Sequence, residues 1–456
     1  MGGQPSLRAS REDLDSKRER QVFEDSAACE KLTASRTELS NIAGESFRLR
    51  GGAVAQIVND IYILRMIRRN LERRLHEIAD RMPAVAVTGP RQSGKTTLCR
   101  MAFPERAYVS LEPLDVREFA RTDPRGFLAQ HRGGAILDEV QRAPDLFSYL
   151  QEEVDRDPEP GRFILTGSQH FGLSEAITQS LAGRVGRLHL LPLSLDELRR
   201  FDAAPADLWT TLWGGAYPRI YDRHLDPARW LADYVATYVQ RDVRQVLNVT
   251  DLDAFTTFLR LVAGRTGQER HLSALGSDAG VSHNTARSWL SVLETSFVVF
   301  RVPRWHRSLR KRAVKAPKIH LVDSGLACHL LGIREPGQLR THPQRGALFE
   351  SWVAAEILKA RVHDGRDAEL FHLREDRGVE VDLVVESGRS VLGVEVKSGA
   401  TVVPEFLTSL RELGRRIGRE HPHVEYEARL LYGGEGAQDR SDGKVVPWHS
   451  IHSIEW

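Results

Sequence analysis

Cysteine is scarce and odd in number: Cys29, Cys99 and Cys328 stand far apart in 456 residues. That argues against a disulfide framework and against a cysteine-rich zinc site, and it suits a reducing compartment. An excess of one charge is missing too. Lys and Arg total 64 and Asp and Glu total 62, a formal net charge of +2. A uniformly basic nucleic-acid coat protein is excluded, so any basic surface must be local. No apolar run reaches the roughly 18 residues of a membrane span, and the opening MGGQPSLRASREDLDSKRER has no apolar core of a secretory signal. No membrane contact and a cytoplasmic location are expected. Hydrophobic residues at 41% and charged residues at 28% rule out a fibrous or wholly disordered chain. The length suggests two to four domains of about 100–200 residues each.

The first 50 residues carry nine basic and nine acidic side chains and little that could be buried. Residues 1–65 therefore read as a polar tail, disordered or loosely helical; Met66 offers a second start. Leu71, Leu75, Ile78 and Ala79 recur at helical spacing. Apolar runs follow at 84–87, 108–111, 135–137 and 163–165, separated by helical stretches. Continuous apolar strands alternating with helices predict a parallel α/β sheet buried on both faces. Residues 197–335 look mostly helical, with Trp209, Trp213, Trp230, Tyr234 and Tyr238 as packing residues. From 336 to 456 the pattern is mixed again: a helix at 346–360, then strands near 368–373, 379–386 and 391–397.

Between the first strand and the next helix lies TGPRQSGKTT. It fits G-x-x-x-x-G-K-[ST], and the strand–turn–helix context is the one that this phosphate loop needs. Gly89, Pro90, Arg91, Gln92, Ser93 and Gly94 would turn backbone N–H groups inward as an anion nest. The helix start at Lys95, Thr96 and Thr97 adds partial positive charge. Lys95 would reach the β- and γ-phosphates, and the Thr96 hydroxyl would hold Mg²⁺. The run Ala135-Ile136-Leu137 ends in Asp138 and Glu139. Asp138 is placed to hold Mg²⁺ as a Walker B aspartate, and Glu139 to act as general base on the attacking water. A third apolar strand ends in Ser168 and Gln169, which either sense the γ-phosphate or cap a turn. No N-K-x-D guanine reader follows, so ATP is expected rather than GTP.

Residues 271–300 read as a helix–turn–helix. Ser282 is an N-cap for 283–293, with His283, Asn284, Arg287 and Ser288 facing outward as if toward a DNA groove. The stretch 301–318 holds eight basic residues, Arg301, Arg304, Arg307, Arg310, Lys311, Arg312, Lys315 and Lys318, with Trp305 among them and no acid. This combination suits contact with a phosphate backbone. A packing or oligomerisation module with a solvated basic face is the alternative.

The succession TGPRQSGKTT, LDEVQRAPDLF, FILTGSQ, SLAGRVGRL, WGGAYP, YVQRDVRQV, VSHNTARSWLSVLETSFVV, KIHLVDSGLA and RGVEVDLVV…GVEVKSG resembles bacterial and archaeal AAA-type ATPases that carry a C-terminal domain of unknown function with a PD-(D/E)xK nuclease-like core. The resemblance implies three parts: a P-loop ATPase domain at 66–196, a helical segment with a winged-helix-like module at 197–335, and a nuclease-like α/β domain at 336–456. It implies a phosphate-sensing or finger role for Arg184. It also implies that Asp382 and Glu395 bind Mg²⁺, with Glu350 as an extra acid and Lys397 orienting water at the scissile phosphate. From the strand pattern alone, Glu380 and Asp382 share a face of one strand, Glu395 and Lys397 share a face of the next, and a hairpin brings the two together, as it would for ordinary cross-strand ion pairs. The expected function is ATP hydrolysis coupled to DNA, with nucleotide state controlling a metal-dependent nuclease-like domain. The alternative is a nucleotide-switched regulator, binding DNA or protein, with an inactive nuclease fold. Either way a homo-oligomer is allowed.

Overall fold

The computed structural model describes residues 67–168, 180–239, 251–306, 316–375 and 378–456. The polar tail, Gln169, and Arg307, Arg310, Lys311, Arg312 and Lys315 of the basic stretch lie outside the described residues. Residues Ile67 to Trp456 form one compact unit.

The first layer is a parallel sheet in the order β2-β3-β4-β1-β5. Helix α1 (Leu71–Ala79) leads into β1 (Ala84–Gly89); α2 (Lys95–Ala102) and β2 (Ala107–Ser110) follow, then α3 (Leu114–Thr122) and α4 (Pro124–Ala129). The sheet is completed by β3 (Ala135–Asp138), α5 (Leu146–Arg156), β4 (Phe163–Ser168) and β5 (Val185–His189). The strands β1, β3 and β4 are buried along their whole length, as their unbroken apolar runs require. Strand β2 departs from that expectation: it is the sheet edge, and Tyr108 is 39% exposed. Strand β5 gave no apolar run to read, because its sequence VGRLH buries only Leu188 outright on an outer strand. All five strands point the same way, so the phosphate loop after β1, the acids after β3 and Ser168 at the end of β4 meet at one edge.

The middle segment is helical: α6 (Leu195–Leu198), α7 (Leu208–Gly214), α8 (Pro218–Asp222), α9 (Pro227–Tyr234) and α10 (Leu252–Gly264). The expected helix–turn–helix is α11 (Leu272–Asp278) and α12 (His283–Thr295), with the Ser282 hydroxyl accepting from the Thr285 N–H at 3.1 Å. The short strand β6 (Gln268–Glu269) pairs with β8 (Lys318–Leu321), and β8 with β7 (Val299–Val302). Next come α13 (Ser324–Leu330) and α14 (Pro336–Leu339). Two of the stretches quoted above, WGGAYP and KIHLVDSGLA, meet here. Gly215 and Gly325 pack so closely that a Cβ on Gly325 would lie 2.7 Å from the Gly215 backbone. Asp323 accepts from the N–H groups of Ala216 and Leu326, both at 2.7 Å.

The last part starts with the 19-residue helix α15 (Arg345–His363). Strands β9 (Leu370–Arg374), β10 (Glu380–Ser387) and β11 (Ser390–Lys397) form an antiparallel meander. Helix α16 (Thr408–Glu420) then returns the chain to β12 (Glu425–Tyr432), parallel to β11, and β13 (Gln438–Arg440) and β14 (Gly443–Pro447) extend the sheet. One apolar cluster runs from Leu193 to Trp456, so the helical middle and this sheet share a core.

Candidate functional site

Gly89, at the end of β1, has φ +152°, and a Cβ there would lie 2.1 Å from the carbonyl oxygen of Leu190. Gly94, at φ +93°, caps α2 and points the first helical N–H groups at the loop. Gln92 also has positive φ, at 63°. The loop is therefore wound as an anion cradle. The Ser93 hydroxyl is buried within it and has no hydrogen-bond partner, an open position that fits a ligand oxygen.

Lys95 is buried, and its ammonium donates to the carbonyls of Gly89 at 3.1 Å and Pro90 at 2.8 Å. Burial lowers its pKa to about 8, against the pull of Glu139 and Asp138. The Thr96 hydroxyl lies 3.1 Å from both carboxylate oxygens of Asp138. Two further hydroxyls reach the same carboxylate: Tyr108, at 2.8 Å, and Thr166. This donor set, a hydroxyl beside a carboxylate at the mouth of an anion nest, fits Mg²⁺. Glu139 takes a left-handed conformation, φ 55°, as the chain turns out of β3. Its carboxylate accepts from the side-chain amide of Gln141, which also lies 3.3 Å from the Ser168 hydroxyl. The sequence reading missed Gln141, Thr166 and Tyr108. Only Gln141, two residues after Glu139, stood near enough to the acidic pair to be suspected.

Arg184 stands apart from the phosphate loop. It sits just before β5, where its carbonyl accepts from the N–H of Ala84 at the start of β1. The phosphate loop is at the other end of β1, about 16 Å away at the rise of a strand. The Arg184 side chain pairs with Asp155. It does not reach the phosphate position of its own chain.

The second group of chemical residues lies on the C-terminal sheet. Leu383 pairs with Val394, which sets Asp382 across from Glu395. The register against β9 shifts between Val381 and Val384, an irregularity of the kind that re-aims a side chain. The Asp382 carboxylate accepts from the N–H of Val396 at 2.8 Å. Lys397 donates to Glu395 at 2.6 Å, and the other Glu395 oxygen is buried without a hydrogen bond. Burial raises the pKa of Glu395 to about 8, helped by Asp382 and opposed by Lys397. Burial and Asp382 likewise raise Glu350 to about 7, with Lys318 opposing. The orphaned Glu395 oxygen and the crowded negative charge fit a divalent cation. Among the described residues, however, no group of three or more His, Cys, Asp or Glu side chains stands at metal-holding spacing. Glu350 is turned instead to Lys318, 2.9 Å away.

That contact revises the reading of the basic stretch. Lys318 belongs to the run expected to contact a phosphate backbone, yet it is buried on β8 and pairs with Glu350. Arg301 is paired with Glu294 at 2.8 Å. Trp305 packs against the C-terminal core, and its backbone N–H donates to the carbonyl of His372. By contrast His283, Asn284, Arg287 and Ser288 are all exposed on α12. A cavity of about 670 Å³ opens between the middle strands and the C-terminal sheet, lined among others by Gln268, Arg304, Lys318, Arg374 and Glu380.

Three family descriptions match successive parts of the chain: "AAA domain" at 81–199, "Domain of unknown function (DUF8612)" at 205–337 and "Domain of unknown function (DUF4143)" at 345–451. Among solved structures, the Walker-type ATPase PABY2304 of Pyrococcus abyssi is similar at TM-score 0.38 and 15% identity, covering 57% of this chain and 95% of that one. AMPPCP-bound DnaA from Aquifex aeolicus is similar at TM-score 0.27 and 16% identity, covering 49% and 85%. Likenesses of this size leave function to be argued from the chain's own residues. Two curated relatives, the uncharacterized proteins Rv2008c of Mycobacterium tuberculosis and Mb2031c of Mycobacterium bovis, are each 34% identical over 349 residues, 75% of this chain and 76% of theirs. This chain belongs to the family of those mycobacterial proteins, with an AAA domain that carries its complete phosphate loop.

Proposed function

We propose that this protein binds and hydrolyses ATP with Mg²⁺, acts on DNA, and uses its nucleotide state to control the carboxylate site of its C-terminal domain. The observation that carries the nucleotide part is the Thr96–Asp138 contact at 3.1 Å beside the buried Lys95, at the strand-end edge of the parallel sheet. Lys95 would hold the β- and γ-phosphates, Thr96 and Asp138 the Mg²⁺, and Glu139 the attacking water, with Gln141 and Ser168 beside it. Arg184 can act as a finger only toward the loop of a second copy, so that role goes with a homo-oligomer.

For the C-terminal site, a helix carrying Glu350, a meander carrying Asp382, Glu395 and Lys397, then a helix and a parallel strand support the reading of a PD-(D/E)xK core. A metal there would polarise a phosphodiester. Asp382 and Glu395 would hold it, and Lys397 would orient the water. The exposed face of α12 next to a small three-stranded sheet supports DNA contact in the manner of a winged helix.

The non-cleaving regulator keeps a specific observation in its favour: Lys318 occupies Glu350. Paired assays of ATP turnover and DNA nicking with Mg²⁺ or Mn²⁺ separate the readings. Lys95→Ala should abolish turnover. Nicking by the wild type that is lost in Asp382→Ala supports the nuclease; no nicking by either, with turnover intact, supports the regulator.

A further inference from the structure

Five ionisable side chains that the proposed chemistry does not use are buried between the phosphate loop and α15: Arg69, Glu197, Glu356, Lys359 and His363. Burying charge is expensive, and apolar residues of similar volume often hold a fold as well. Their geometry is that of a shared hub. Arg69 donates from one terminal nitrogen to the Ser93 carbonyl in the phosphate loop at 2.7 Å, and from the other to the Leu191 carbonyl at 2.8 Å. Its Nε lies 3.0 Å from Glu197 Oε1, a buried ion pair. The same Glu197 oxygen accepts from the N–H of Asn70 at 2.6 Å.

His363, at the end of α15, approaches from the other side. Its Nε2 accepts from the N–H of Leu191 at 3.2 Å, so the ring proton sits on Nδ1. Nδ1 faces Glu197 Oε1 at 3.9 Å and is buried without a hydrogen bond. Two donors, one tied to the phosphate loop and one to α15, thus converge on one oxygen, Arg69 as the near ion pair and His363 as the more distant one. Further back on α15, about two turns and one turn before His363, Glu356 accepts from the N–H of Leu195 at 2.7 Å, and Lys359 donates to Glu356 and to the Leu193 carbonyl, both at 2.8 Å. Residues 191–197 are therefore clamped between Arg69 and the C-terminal half of the helix whose first turns carry Glu350.

We propose that Arg69 is a positioning residue that couples occupancy of the phosphate loop to helix α15, by sharing Glu197 with His363. A ligand that moves the Ser93 carbonyl moves the guanidinium, and Glu197 is redistributed between Arg69 and His363. This rests on the reading that the loop binds ATP, and it names the route by which nucleotide state reaches the carboxylate site. Coupling of this kind is reciprocal: whatever factor nucleotide applies to α15, α15 applies to nucleotide affinity.

The test is hydrogen exchange on the full-length protein, with and without AMPPCP and Mg²⁺, read at peptides covering 356–363, beside the dissociation constant of AMPPCP. In the wild type the analogue should change exchange there by about fivefold or more, the lower end of usual allosteric coupling. In Arg69→Lys, which keeps the charge but cannot span three partners, the change should fall below about twofold while AMPPCP still binds. His363→Asn, which leaves the phosphate loop untouched, should shift the AMPPCP dissociation constant by the factor lost from α15, and it serves if Arg69→Lys does not fold. Wild-type binding with no change at 356–363, or an undiminished change in either variant, overturns the coupling. Failure of the wild type to bind AMPPCP overturns the nucleotide reading and this one together.

Discussion

Lys318 Nζ lies 2.9 Å from Glu350 Oε1, joining β8 of the middle segment to α15 of the C-terminal part in a pair that is 4% and 16% exposed. Removing one partner leaves the other charge buried and alone. Lys318→Met should therefore destabilise the protein by about 3–5 kcal/mol. The double variant Lys318→Met/Glu350→Gln should recover part of that loss, since Glu350 no longer carries an unpaired charge. Denaturant melts of the three proteins check it, and equal stability of single and double variants would show that the pair is not coupled.

The raised pKa of Glu395, about 8 against an ordinary 4.5, fixes the sign of a pH effect. Between those values the folded protein binds more protons than the unfolded chain, so stability falls as pH rises. The contribution is fully present below pH 4.5 and lost as pH passes about 8. Glu395→Gln should flatten the dependence in that window. Mn²⁺ should raise the melting temperature more at pH 8 than at pH 5.5; melts at both values measure this.

Two glycines with positive φ should respond differently to alanine. At Gly89 the new methyl would sit 2.1 Å from the backbone oxygen of Leu190, which cannot move without pulling on β1 and β5. Gly89→Ala should lose nucleotide binding as well as stability. At Gly183, φ +76°, nothing lies within 4 Å of the new methyl. Only the left-handed backbone is strained there, at about 1–2 kcal/mol. Calorimetric AMPPCP titration should find binding in Gly183→Ala alone.

On α12, Arg287 is exposed on the face proposed to meet DNA. Arg287→Ala should weaken DNA binding and reduce the slope of log affinity against log salt by about one unit if it meets a phosphate. An unchanged slope in a salt series of anisotropy titrations would remove this residue from the interface.

The phosphate site was legible because its chemistry is local in sequence: loop, lysine and threonine are contiguous, and an apolar strand ending in acids announces itself. The parallel sheet followed from the same apolar runs. What escaped reading is held by partners far apart along the chain. Thr166 and Tyr108 reach Asp138 from neighbouring strands, and Lys318 reaches Glu350 across 32 residues. A run of cations says nothing about which member turns inward, and β8 is buried at all four of its residues, so period two does not single out Lys318. The place of Arg184 shows a related limit. A sequence gives an arginine's order along the chain but not which end of a strand the sheet will present to the loop.

The apolar cluster that runs from Leu193 to Trp456 has an evolutionary corollary. Two regions with separate family descriptions, 205–337 and 345–451, divide one interior between them. Neither could be transplanted into another gene without leaving a raw oily face, so the pair should travel through genomes as an inseparable cassette.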